Sequence, residues 1–240
     1  MTDQTLNLNG KVALITGAAR GQGAAAVKLF HDLGATVIGT DVTDGSEVVA
    51  GLDRAEFQAL DISDEDAWQR VVEYVVTTHG RLDVLLNNAA IHEPADFFAY
   101  PMSDMRRMID INLFGPILGM RAAAAVMGEG ASIINVSSND GMRGRPGNLP
   151  YSVSKFGVRG ASRSAAWDLA GKGIRVNCIM PGAIDTEMLH GATAQVNLNF
   201  IPMRRLGHAN EVAPMAAFLA SDLAGYITGA EISVDGGLLA

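Results

Sequence analysis

Val12-Ala13-Leu14-Ile15-Thr16-Gly17-Ala18-Ala19-Arg20-Gly21-Gln22-Gly23-Ala24-Ala25-Ala26 is the stretch on which the fold turns. Five apolar or β-branched residues read as a buried strand, and the alanines after the glycines begin a segment of helical character. Gly17 permits a sharp turn. Gly21 and Gly23 let backbone come close to an anion and let the following helix pack tightly, with its N-terminal dipole facing that anion. The three-residue gap between the first two glycines departs from G-x-G-x-x-G. Taken alone, the cluster is explained about as well by a plain strand-to-helix turn.

Outward from this stretch the pattern repeats. Further strand-like runs lie at Thr36 to Thr40, Phe57 to Leu60, Leu82 to Asn87, Ser132 to Ser137, Arg175 to Met180 and Glu231 to Val234, with helical periods between them. The clearest helix is Asp64 to His79, with Ser63 as N-cap, Asp66 three residues later and Gly80 as its stop. Pro214 falls near the first turn of another helix, where a missing N–H has no intrahelical partner. Alternating β and α units with near-continuous apolar strands predict an α/β fold: one doubly wound, seven-stranded parallel sheet covered on both faces, forming a single domain over 1–240. Ligands belong at the carboxyl ends of its strands.

Composition narrows the function. Of the 240 residues, 48% are hydrophobic and 18% charged, which excludes global disorder. The net charge of -8 disfavours a nucleic-acid partner. The only cysteine, Cys178, allows no intramolecular disulfide, and the five scattered histidines lack metal-ligand spacing, so no metal is expected. The N-terminal segment lacks a basic stretch followed by an apolar run, and no uninterrupted apolar stretch reaches the ~18 residues of a membrane span. A cytoplasmic protein without a membrane partner is the expectation.

Asp41 closes the second strand, 24 positions after Gly17, near the spacing of a ribose ligand. A carboxylate there accepts hydrogen bonds from the adenosine ribose hydroxyls of NAD and repels the 2′-phosphate of NADP. Arg20, inside the glycine loop, sends the opposite signal. Asp41 is given more weight, because a fixed carboxylate facing a phosphate costs free energy whereas an arginine has other partners available. Asp61 and the adjacent Ile62 follow the third strand; Asp61 either accepts from the adenine amino group or caps its own turn.

Tyr151 and Lys155 stand four apart, on one face of a helix, and Ser138 lies thirteen residues earlier just beyond the fifth strand. Joined to the glycine loop, Asn87-Asn88-Ala89-Ala90, Asn112 and Pro181-Gly182, these motifs resemble the short-chain dehydrogenase/reductase family from about Gly10 to Gly237. Among its members the chain looks most like bacterial hydroxysteroid and related secondary-alcohol dehydrogenases. The resemblance implies hydride transfer with a nicotinamide coenzyme and a site of Asn112, Ser138, Tyr151 and Lys155. Tyr151 would be the base, helped by the Lys155 ammonium, which would also hold the nicotinamide ribose; Ser138 would donate to the substrate oxygen, and Asn112 would anchor a relay water. It also implies that Gly17, Arg20, Gly21, Gln22, Gly23, Asn88, Ala89 and Ala90 surround the adenosine and pyrophosphate, and that Pro181, Gly182, Ile184 and Thr186 border the nicotinamide. Gln22 stands where an aliphatic residue is usual, and Ala90 where glycine is.

Specificity is expected in the loops Ile91 to Phe98, Asn139 to Leu149 and Glu187 to Leu206. His92, Met142, Met188 and Phe200 are the substrate-contact candidates. With Phe97, Phe98, Leu189, Val196, Ile201 and Met203 they predict a lining suited to an apolar alcohol or ketone, alicyclic or steroidal. Arg143 and Arg145 either bind a carboxylate or face water. A 3-oxoacyl-thioester reductase and a catalytically silent NAD-binding protein are the alternatives. The family resemblance also suggests a homotetramer, pairing helices that begin near Met102 and Tyr151 through small residues at Ala122 to Ala125, Ala161, Ala165 and Ala166.

Overall fold

A computed structural model describes residues 5–191 and 196–240, so positions 192–195 of the expected substrate loop lie outside the described residues. The chain alternates strand and helix: β1 (Val12–Thr16), α1 (Gly21–Asp32), β2 (Thr36–Asp41), α2 (Ser46–Val49), β3 (Ala55–Ala59), α3 (Glu65–His79) and β4 (Val84–Asn87). There follow α4 (Met102–Ile109), α5 (Gly115–Val126), β5 (Ser132–Val136), α6 (Leu149–Ala170), β6 (Arg175–Pro181), β7 (Ile184–Asp185), α7 (Glu187–Gly191), β8 (Gly207–His208), α8 (Ala209–Ala220) and β9 (Glu231–Val234). The main sheet has seven strands in the order β3-β2-β1-β4-β5-β6-β9, and every pairing in it is parallel. The chain runs outward one way from β1 and the other way from β4. The crevice between their carboxyl ends is therefore the switch point where such sheets bind ligands.

The period of two along a strand divides the core. Ala13 and Ile15 of β1 face a cluster built on α1 and α8, including Phe30 and Ala217, while Val12 and Leu14 face Trp68 of α3 and Ala123 of α5. Parallel strands covered on both faces are buried on both and read as near-continuous apolar runs, and all five residues of β1 are buried.

The structure corrects several local expectations. The α3 N-cap is Asp64, whose carboxylate accepts the N–H groups of Asp66 (2.9 Å) and Ala67 (3.2 Å); Ser63 instead donates its hydroxyl to Asp61. Gly80 ends α3 at φ +77, a left-handed cap as expected. Pro214 is the sixth residue of α8, beyond the first turn, so its missing N–H does remove a helical bond to Asn210. The two-residue strands β7 and β8 pair in a small second sheet too short for a periodic signal. A π turn over Asp110–Phe114 joins α4 to α5. The resulting helix, Met102–Val126, has the length and mean hydropathy of a membrane span, but Asp104, Arg106, Arg107, Asp110 and Arg121 interrupt its apolar run, in keeping with the sequence expectation. It packs Met108, Met120 and Ala123 into the protein.

Candidate active site

Gly17 adopts φ +66, and a Cβ there would lie 2.8 Å from Ala89 Cα. A Cβ at Gly23 would run into the Gly17 carbonyl oxygen, so α1 begins pressed against its own loop. Asn88 fixes the arrangement from β4. Its Nδ2 donates to the carbonyls of Thr16 (3.0 Å) and Gly17 (3.2 Å), while Thr16 Oγ1 accepts from the N–H groups of Asn88 and Ala89. The first turn of α1 has no side-chain cap and no acidic residue, which leaves its N–H groups for an anion. This cradle, which side chains larger than hydrogen would fill, fits the pyrophosphate of a dinucleotide.

A cleft of about 830 Å³ runs from this loop across the carboxyl ends of the strands. At its adenosine end stands Asp41, held by the N–H groups of Ala19 (3.2 Å) and Thr43 (3.1 Å). Arg20 lines the same end, exposed and without a side-chain partner among the described residues. Asp61 accepts the N–H and hydroxyl of Ser63 through one oxygen and borders the cleft beside the buried Ile62. Gln22, Ala89, Ala90, Pro181, Gly182, Ile184 and Thr186 also line it. The Gln22 Oε1 atom is buried with no hydrogen-bond partner among the described residues.

At the other end, Tyr151 and Lys155 lie one turn apart on α6, with Nζ 5.6 Å from the centre of the phenol ring. Lys155 is buried and donates to the Val136 carbonyl at 2.9 Å. Burial pulls its ammonium down to about 8. The Tyr151 hydroxyl is pushed up to about 12 by burial and then by the negative Asp140, against a hydrogen bond from Ser138 and the positive Arg145. Ser138 caps the 3-10 turn Asn139–Gly141, its Oγ accepting the Asp140 N–H at 3.1 Å. The wholly buried Asn112 sits in the π turn. Its amide exchanges two 2.8 Å hydrogen bonds with the main chain of Ile91, fastening the segment after β4, and its Nδ2 lies 3.5 Å from Ser154 Oγ of α6. π turns recur at functional sites because they re-aim groups within a helix.

The family profile described as Enoyl-(Acyl carrier protein) reductase matches residues 17–239. The chain belongs to the short-chain dehydrogenase/reductase family. It is 40% identical over 245 residues to the 3-oxoacyl-[acyl-carrier-protein] reductase of Thermotoga maritima, covering 98% of this chain and 100% of that one. It is 40% identical over 238 residues to a 3-alpha-(or 20-beta)-hydroxysteroid dehydrogenase of Mycobacterium tuberculosis, covering 97% and 91%. A cis-4-hydroxycyclohexanecarboxylate dehydrogenase of Sinomonas cyclohexanicum is 41% identical over 242 residues, covering 96% and 97%. The crystal structure of a dehydrogenase/reductase from Sinorhizobium meliloti superposes with a TM-score of 0.93 at 31% identity, covering 98% and 97%. As a family member the chain is an oxidoreductase of alcohols and ketones that uses a nicotinamide coenzyme.

Within this family framework the substrate end is more polar than the sequence led us to expect. Met188 and Phe200 line the cleft, as do Leu189, Val196 and Ile201, whereas Met142, Phe97, Phe98 and Met203 stand off its wall. Gly23 and Asn112 also stand off it. His92, a substrate-contact candidate from the sequence, lines it too, and Arg107 and Asp140 stand there beside Arg143 and Arg145. Arg145 neither faces water alone nor stands free for an anion: it grips the buried Asp140 at 2.6 and 2.8 Å. Asp140 and Asn148 were missed by sequence reasoning. The signal was a carboxylate two residues past Ser138, in a loop that also carries arginines.

Proposed function

We propose that this protein is an NAD-dependent dehydrogenase/reductase of alicyclic secondary alcohols and ketones. The observation that carries the coenzyme choice is the Asp41 carboxylate, fixed by two backbone N–H groups where the adenosine ribose would lie. Bound there, a nicotinamide coenzyme would supply or accept the hydride. Tyr151 takes the hydroxyl proton of the alcohol, or returns it to the ketone oxygen, and Ser138 donates to that oxygen and holds it. Lys155, protonated at neutral pH with its pKa at about 8, favours the phenolate through its charge. The burial of Lys155 strengthens these interactions, because charges act more strongly where water is scarce.

The substrate class is supported by relatives named for hydroxysteroids and hydroxycyclohexanecarboxylates, both ring alcohols. Rates with cyclohexanone, its substituted derivatives and 3-oxosteroids, each with NADH and NADPH, test the proposal. NADH should win by about a hundredfold in kcat/KM, the factor given by roughly 3 kcal/mol of like-charge repulsion at Asp41. Asp41→Ala should narrow the gap. Equal efficiency with both coenzymes would overturn the coenzyme assignment. The Thermotoga maritima relative supports a second reading, a 3-oxoacyl-thioester reductase, which an acetoacetyl-pantetheine assay with NADPH would favour.

A further inference from the structure

A carboxylate as deeply buried as Asp140, 2% exposed, demands partners, and the ones it has form a chain that ends beside Tyr151. Arg145 pairs with both of its oxygens. A carboxylate so paired can only accept hydrogen bonds, so the Asn148 atom 3.0 Å from Asp140 Oδ2 is the amide nitrogen. The Asn148 carbonyl oxygen is thereby turned to His92 Nε2, at 2.9 Å. A carbonyl oxygen only accepts as well, so Nε2 carries the hydrogen. In a neutral imidazole the other nitrogen is then a bare acceptor. His92 Nδ1 has no partner among the described residues, and the ring lines the cleft with its centroid 4.5 Å from that of Tyr151.

We propose that His92 reads the substrate by accepting a hydrogen bond from a second donor carried next to the reacting carbon, so that hydroxyketones and diols are preferred over simple ketones and alcohols. The inference rests on the oxidoreductase reading above and adds the substrate's second functional group. An acceptor facing a bound substrate discriminates through what is missing: a substrate without a donor displaces water from the lone pair and replaces it with nothing. Holding the loop after β5 against α6 needs only Asp140, Arg145 and Asn148. The imidazole in the cleft is a further element which that structural role does not require. Asp140 and Asn148 are positioning residues that act through His92.

The test compares kcat/KM for 2-hydroxycyclohexanone and 2-methoxycyclohexanone, which differ in the donor. The intact protein should prefer the hydroxyketone by about tenfold or more. His92→Phe, which keeps a ring against Tyr151, should bring the ratio near one, and Asn148→Ala, which frees the imidazole to change tautomer, should narrow it. Because the ratio is taken within each variant, a general loss of activity does not imitate the effect. Should His92→Phe turn over too slowly, calorimetry on the Tyr151→Phe protein with NAD, with and without His92→Phe, compares trans-cyclohexane-1,2-diol with cyclohexanol. Selective diol binding that disappears with the imidazole supports the proposal. A ratio near one in the intact protein, a preference for the methoxy compound, or a preference that survives His92→Phe overturns it. Failure to reduce either ketone with either coenzyme, alongside selective diol binding, would instead fault the reaction assigned above.

Discussion

Replacing Lys155 with methionine should stabilise the coenzyme-free protein at neutral pH while disabling it. Lys155 is 3% exposed, and burial lowers its pKa from the ordinary 10.5 to about 8. At about 1.36 kcal/mol for each tenfold change in proton affinity, keeping this ammonium charged inside the fold costs about 3 kcal/mol at pH 7. Methionine keeps most of the apolar stem but leaves the Val136 carbonyl without its donor, a loss of about 1–2 kcal/mol. The net expectation is a gain of about 1–2 kcal/mol at pH 7. The pH dependence is the sharper test. With its folded value below its unfolded one, Lys155 binds fewer protons in the native state between pH 8 and 10.5, and its contribution to stability rises across that window. The cost is complete below pH 8 and absent above 10.5, whereas the variant has no such group. The difference between the two proteins should therefore swing by about 3 kcal/mol in favour of the wild type between pH 7 and 10.5. Tyr151, raised to about 12, and Cys178, raised to about 11, are present in both proteins, so the difference isolates Lys155 together with the effect of its charge on those two groups. Urea unfolding at pH 7, 9 and 10, at one protomer concentration, measures it. A difference that stays constant over this range would refute the reasoning.

Tyr151→Phe should lower turnover by about a thousandfold or more while NADH binding, followed by fluorescence, stays close to wild type, since the ring remains and only the proton-transfer group is lost. Gly23→Ala should abolish NADH binding because its Cβ meets the Gly17 carbonyl, whereas Gly128→Ala, where a Cβ meets nothing within 4 Å, should leave binding unchanged in the same titration. Arg143, which lines the cleft without a side-chain partner among the described residues, should hold an anionic substituent: Arg143→Ala should raise KM for 4-oxocyclohexanecarboxylate about tenfold and leave that of cyclohexanone nearly constant, as expected for about 1.4 kcal/mol of lost pairing. Light scattering should give four times the 25.2 kDa chain mass, with Phe114, Val153, Phe156 and the 86% exposed Trp167 covered in the assembly; a mass of one chain would refute the tetramer. Ala123 and Ala166 are not part of that prediction, because both are already buried against the protein's own core.

The amino-acid sequence determined those features whose causes are local. The seven strands of the main sheet follow from short apolar runs, the end of α3 from the left-handed conformation that Gly80 adopts, and the phosphate loop from glycines placed where a Cβ would strike backbone. Tyr151 and Lys155 needed only the helical repeat to share a face, and Asp41 only its place at the end of a strand. Choosing Asp64 over Ser63 as N-cap depended on side-chain direction within one turn, which residue type alone does not distinguish. The tertiary structure decided what depends on separate loops meeting. His92 follows β4 and Asn148 precedes α6, 56 residues apart, and no periodicity relates them to each other or to Asp140. Only the parallel pairing of β4 with β5 sets their loops side by side over Tyr151. The same packing left Met142, Phe97 and Phe98 exposed and off the cleft lining, because an apolar residue in a loop carries no signal of what it packs against until the sheet beneath it is assembled.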